Sequence, residues 1–68
     1  MSALNLTVNG KPHATDAPTV TALLAELGLD KQAVAVEVNK QLVSKRSHAE
    51  TALNEGDVLE MVTLVGGG

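Results

Sequence analysis

The sequence predicts an α+β domain, a mixed sheet packed on one main helix, and three observations carry that prediction. Apolar and polar residues alternate near both ends of the chain and in its middle, which is the period of a strand with one buried face. A single stretch between Thr19 and Gly28 changes to helical spacing. An Asn-Gly pair, Asn9-Gly10, stands directly after the first alternating stretch and marks a tight reversal.

Taken in order, Leu4, Leu6 and Val8 alternate with Asn5 and Thr7 to give the first strand. Asn9-Gly10 supplies the two positive φ values that a type I′ hairpin requires, so Lys11 to Thr15 returns as the second strand. Asp16-Ala17-Pro18 ends it, because Pro18 has no amide hydrogen and drives Ala17 towards extended geometry. Thr19 is then placed as an N-cap, Val20, Leu23, Leu24 and Leu27 share one helical face, and Gly28 follows the end. The weak points of this helix are β-branched Val20 and Thr21 in its first turn and Ala22 where a capping box would place an acid.

Val34, Val36 and Val38 alternate with Ala35 and Glu37 as a third strand, and Asn39-Lys40 reads as a tight turn into a short Gln41 to Val43 strand. Ser44 to Ala52 lacks periodicity and reads as loop with at most one helical turn. After the turn cluster Asn54-Glu55-Gly56-Asp57, the stretch from Val58 to Val65 is apolar enough to be a buried, central strand, with Leu59 and Met61 in the core. Gly66, Gly67 and Gly68 cannot contribute to a core and lose the most entropy on ordering, so residues 1–65 form the domain and 66–68 a flexible tail. For the last strand to share a sheet with the first hairpin it must lie beside the first strand, with the helix crossing one face, which is the β-grasp arrangement.

Totals narrow the function. With 68 residues there is one core and no room for a deep pocket, so a binding or carrier module is expected rather than an enzyme. The absence of Cys removes disulfides, thiolate nucleophiles and Cys-based metal sites and suits a reducing cytoplasm. No apolar run approaches the roughly 20 residues of a membrane span, so no membrane partner is expected. A net charge of −3, with five basic residues scattered along the chain, argues against nucleic acid and for a partner with a basic docking face. His13 and His48 have no metal-ligand spacing and read as exposed surface residues, Lys45-Arg46 as a solvated loop, and neither metal nor cofactor is called for.

The whole chain resembles the ubiquitin-like sulfur carriers, most closely the ThiS family of the thiamine pathway. The resemblance lies in Val8-Asn9-Gly10-Lys11, Thr19-Val20 before Leu23-Leu24, Val36-Glu37-Val38-Asn39 before Leu42-Val43, Glu55-Gly56-Asp57, and the ending Thr63-Leu64-Val65-Gly66-Gly67-Gly68. It implies that the Gly68 carboxylate is the reactive group, adenylated by an ATP-using ThiF-like adenylyltransferase. A persulfide donor then supplies sulfur, Gly68 becomes a thiocarboxylate, and thiazole synthase receives the sulfur. In this cycle Leu64, Val65, Gly66 and Gly67 meet the partner. Glycines at 67 and 68 let the backbone approach a nucleotide closely in whatever dihedrals a narrow tunnel demands. A terminal glycine run by itself is more often a frayed end than a reactive group, and only the β-grasp pattern in front of it reverses those odds. Three alternatives stay open at this point: a carrier for molybdopterin or cysteine synthesis, a ubiquitin-like modifier joined to lysines, and a β-grasp interaction domain without tail chemistry.

Overall fold

A computed structural model of the chain describes residues 3–64. Its elements run β1 (Leu4–Val8), β2 (Lys11–Thr15), α1 (Val20–Glu26), β3 (Val34–Val38), β4 (Gln41–Val43), a 3-10 turn (Lys45–Ser47) and β5 (Val58–Thr63). The five strands form one sheet in the order β2-β1-β5-β3-β4. β5 is central, parallel to β1 and antiparallel to β3, and joins two hairpins that do not pair with each other. The predicted architecture, a mixed sheet on one helix, is the one observed.

Both hairpin turns rest on left-handed backbone. Asn9 and Gly10 take φ values of 52° and 82°, and Asn39 and Lys40 take 52° and 69°. In the first turn glycine removes the steric cost at the second position, whereas in the second turn Lys40 bears it. The asparagines do more than turn. Asn9 Oδ1 accepts from the Met61 amide at 2.7 Å and its Nδ2 donates to the Met61 carbonyl at 3.2 Å. The side-chain amide thus extends the β1·β5 ladder beyond the point where the backbone of β1 leaves it. Asn39 works the other side of β5: Oδ1 accepts from the Val58 amide at 3.0 Å, and Nδ2 donates to the buried Asp57 carboxylate at 3.0 Å.

α1 has only seven residues, too few to hold a helix in water unaided. Tertiary contacts hold it. Val20 and Leu23 are fully buried and Leu24 nearly so, each contributing about 1.5–3 kcal/mol by leaving water. Its first-turn amides all have partners: Val20 N–H donates to the Thr51 carbonyl, Thr21 N–H to the His48 carbonyl and Ala22 N–H to Thr19 Oγ1. The loop before β5 therefore supplies carbonyls that cap the helix from outside, and the missing capping-box acid at Ala22 leaves no first-turn donor unpaired. The other end closes as predicted. Gly28, at φ 75°, lets its own N–H reach the Ala25 carbonyl and the Leu29 N–H reach the Leu24 carbonyl, the paired bonds of a Schellman cap.

The core lies between α1 and the inner face of the sheet: Leu6, Ala17, Val20, Leu23, Leu24, Val36, Leu53, Leu59 and Met61. Leu59 and Met61 are core residues, as expected. Leu27 packs at its margin. β5 differs from expectation in two respects. It ends at Thr63, not Val65, and of the predicted last strand residues Leu64 is described while Val65 is not. It is also buried on one face only, because a single short helix covers one side of the sheet and, among the described residues, no element covers the other.

The histidines are corrected as well. His48 is buried, not exposed: it closes the loop after the 3-10 turn, and its Nε2–H donates to the Val43 carbonyl at 3.2 Å while its own carbonyl caps α1. His13 is half-buried and lies with Nε2 2.9 Å from Glu26 Oε2, the one ion pair among the described residues. Glu26 Oε1 accepts from the buried hydroxyl of Thr15, whose oxygen also takes the Ala17 amide at 2.9 Å. The Thr15 hydrogen bond, and next the one from His13, hold the Glu26 carboxyl below its ordinary 4.5. A depressed folded-state value adds stability above the unfolded pKa and loses it as the pH falls through the folded one. Glu26→Gln keeps an acceptor for Thr15 and removes the charge. It should lower stability at pH 7 by a few tenths of a kcal/mol to about 1 kcal/mol, since the pair is solvent-screened. The difference from wild type should shrink as the pH falls below about 4.5, which urea melts at pH 7 and pH 3.5 will show.

Candidate functional site

The residues assigned to partner binding and reaction fall in two groups. Leu64 is described: it is 55% exposed and its N–H donates to the carbonyl of Ala33, the residue before β3, at 2.8 Å, so the pairing direction continues one residue beyond β5. Val65, Gly66, Gly67 and Gly68 lie outside the described residues.

What the structure adds is the surface leading to Leu64. Alternation along β5 turns Leu59 and Met61 inward, and Val58, Glu60 and Val62 outward. Register places Ala35 beside Val62 and Glu37 beside Glu60 on β3, and Leu42 beside Glu37 on β4. The large hydrophobic side chains left exposed among the described residues are Leu42, Val58, Val62 and Leu64. The first three share the open face of the sheet, and Leu64 continues the β5 row towards the chain end. Exposed apolar side chains gather on one face, with Leu42 at 73% and Val62 at 60%, an arrangement of the kind found at protein–protein contacts. Sequence reading found only its last member, because Val58 and Val62 in an apolar strand look like residues buried on both sides.

Among the described residues no group of three His, Cys, Asp or Glu side chains could hold a metal ion. A hollow of about 170 Å³ on the helix side, touched by Leu24, Leu29, Lys45 and His48, is smaller than the usual small-molecule site. Lys45 and Arg46 are exposed, as expected, though on the 3-10 turn. Among the described residues no helix is long and apolar enough to cross a membrane. The arrangement offers, among the described residues, an exposed apolar surface.

Comparison with known proteins agrees. Residues 6–68 match the family model described as "ThiS family", a match that includes the glycine ending. The chain is 40% identical over 65 residues to the sulfur carrier protein ThiS of Bacillus subtilis, covering 93% of this chain and 98% of that one. It is also 48% identical over 66 residues to the thiazole synthase of Paramagnetospirillum magneticum, where the match takes up 96% of this chain but 20% of the relative. The chain thus spans about a fifth of the length of the thiazole synthases that it matches. Among solved structures, the crystal structure of thiamine biosynthesis protein ThiS from Geobacter metallireducens superposes with a TM-score of 0.80 at 36% identity, over 96% of this chain and 100% of that one. With the β-grasp sheet, the single helix and the match through the final glycine in agreement, the chain belongs to the ThiS family of ubiquitin-like sulfur carriers.

Proposed function

We propose that this protein carries sulfur on the carboxylate of Gly68 for the assembly of the thiazole ring of thiamine. A ThiF-like adenylyltransferase joins the carboxylate to AMP from ATP with release of pyrophosphate. The outer sulfur of a persulfide donor then attacks the acyl carbon and expels AMP. A thiol reduces the resulting acyl disulfide and so frees the donor and leaves the thiocarboxylate, and thiazole synthase takes the sulfur from it. The observation that carries this reading is the family match reaching Gly68 in a chain also 40% identical to a named sulfur carrier. Its similarity to one segment of a thiazole synthase supports that enzyme as the acceptor.

The geometry suits the role. A carboxylate is a poor electrophile until it gains a leaving group, and that activation needs a site able to bind a nucleotide, larger than the hollow of about 170 Å³ among the described residues. Its part in this reading is address and handle: the open face, which leads to Leu64, docks the partner together with Val65, and Gly66 and Gly67 carry the carboxylate into the partner's site. The test is an intact-mass spectrum of the protein isolated from cells that make thiamine and from cells lacking the adenylyltransferase. The first should show a species with one oxygen replaced by sulfur, located at the C-terminal residue, and the second should not. A mass unchanged in both, with the cells dependent on this gene for thiamine, would overturn the proposal.

A further inference from the structure

Glu37 and Glu60 are direct cross-strand partners at the middle of the open sheet face. Like charges so placed destabilise a sheet. Among the described residues no cation pairs with them and no side-chain hydrogen bond involves Glu37 or Glu60; the one ion pair there joins His13 to Glu26. The positions that share their face are Asn5 and Thr7 on β1, Pro12 and Ala14 on β2, Ala35 on β3 and Leu42 on β4, none of them basic. The two carboxylates are bordered by Leu42 on one side and by Val58 and Val62 along β5.

A protein that covers those aliphatic side chains must also take the two carboxylates out of water. Doing so is costly unless it supplies the opposite charge. We propose that Glu37 and Glu60 together receive one arginine side chain from the protein that docks on the open sheet face. This rests on the carrier reading above, which makes that protein the adenylating enzyme. One guanidinium presents enough N–H donors to bond two carboxylates at once, and its methylene stem suits the aliphatic border formed by Leu42 and Val62. The pair thus sets which partners fit: a docking surface with a neutral or acidic centre leaves two desolvated carboxylates unpaired.

The test is titration calorimetry of the full-length chain, as wild type, Glu37→Gln, Glu60→Gln and the double variant, against the purified adenylating enzyme of the same organism, with ATP–pyrophosphate exchange and a thermal melt beside each. Each single variant should bind about tenfold or more weakly. The double variant should lose less than the product of the two, because both carboxylates hold the same group. Wild-type affinity should fall with added salt more steeply than that of the double variant. All variants should melt at or above wild type, since the like-charge contact is gone. Unchanged affinity in both single variants, while wild type supports exchange, would overturn this inference and leave the carrier reading standing. Weakened binding together with a lowered melting temperature would also overturn it, by making the glutamates structural. A wild-type chain that neither binds nor supports exchange would remove the carrier reading and this inference with it.

Discussion

Deleting Gly68 should abolish ATP–pyrophosphate exchange with the adenylating enzyme and leave the melting curve where it was. Among the described residues the core runs from Leu6 to Met61 and the last strand ends at Thr63, so the fold is expected to hold without residue 68. Reaction depends on it entirely under the proposed function. The docked body fixes the distance at which the carboxylate meets the nucleotide, and one residue of extended chain is worth roughly 3.3 to 3.6 Å. Displacements of that size lie far outside the alignment needed for attack on a phosphate. An added Ala after Gly68 should fail for the same reason, with the carboxylate overshooting. Both variants should still bind the enzyme in calorimetry, because the open face is intact. Normal exchange by the shortened chain would sink the proposed chemistry. Loss of exchange accompanied by a lower melting temperature would show instead that the tail supports the fold.

Leu59→Ala should cost roughly 2–5 kcal/mol in urea melts. Leu59 is fully buried near the start of β5, paired in register with Val8 on one side and Val38 on the other, in one core cluster with the helix residues Val20 and Leu23. A domain of this length has little stability to lose, so the variant should be partly unfolded at room temperature. Val62→Ala is the matched control on the opposite face of the same strand. At 60% exposure its truncation should shift stability by no more than about 0.5 kcal/mol. Coincident melts for Leu59→Ala and wild type would mean that the two faces of β5 have been assigned the wrong way round.

Where the sequence was legible, short-range physics decided the outcome. Asn9-Gly10 could be read because positive φ at two successive residues is a local demand. The Val20, Leu23, Leu24 face could be read because a 3.6-residue period survives in the chain itself. What escaped were contacts made at long range by single residues. Nothing adjacent to Asn9 or Asn39 announces that the side-chain amide will bond a strand roughly 50 or 20 positions away in the chain. His48 lacks a patterned neighbour, and its burial comes from a loop folding over to cap α1. The apolar stretch from Val58 suggested a strand covered on both sides, but one helix can cover only one. The excess of apolar residues on the other side is the part of the site that composition disguised as core. The proposed reactive end was suggested only by resemblance, since three glycines carry no chemistry that distinguishes a reactive terminus from a frayed one.

The order of the strands has a kinetic corollary. Each hairpin closes over a few residues and can form within microseconds, but a lone two-stranded hairpin is barely stable in water. Here the two are never neighbours: the strand that joins them is the last in the chain, and it must find β1 across some 50 intervening residues. No subset of elements short of β5 can bury the core, so a half-made chain has no resting state. The molecule should therefore fold in one concerted step whose barrier is the search by β5 for its slot. The asparagine amides that grip β5 from both flanks would act after that crossing, slowing the strand's departure more than they hasten its arrival.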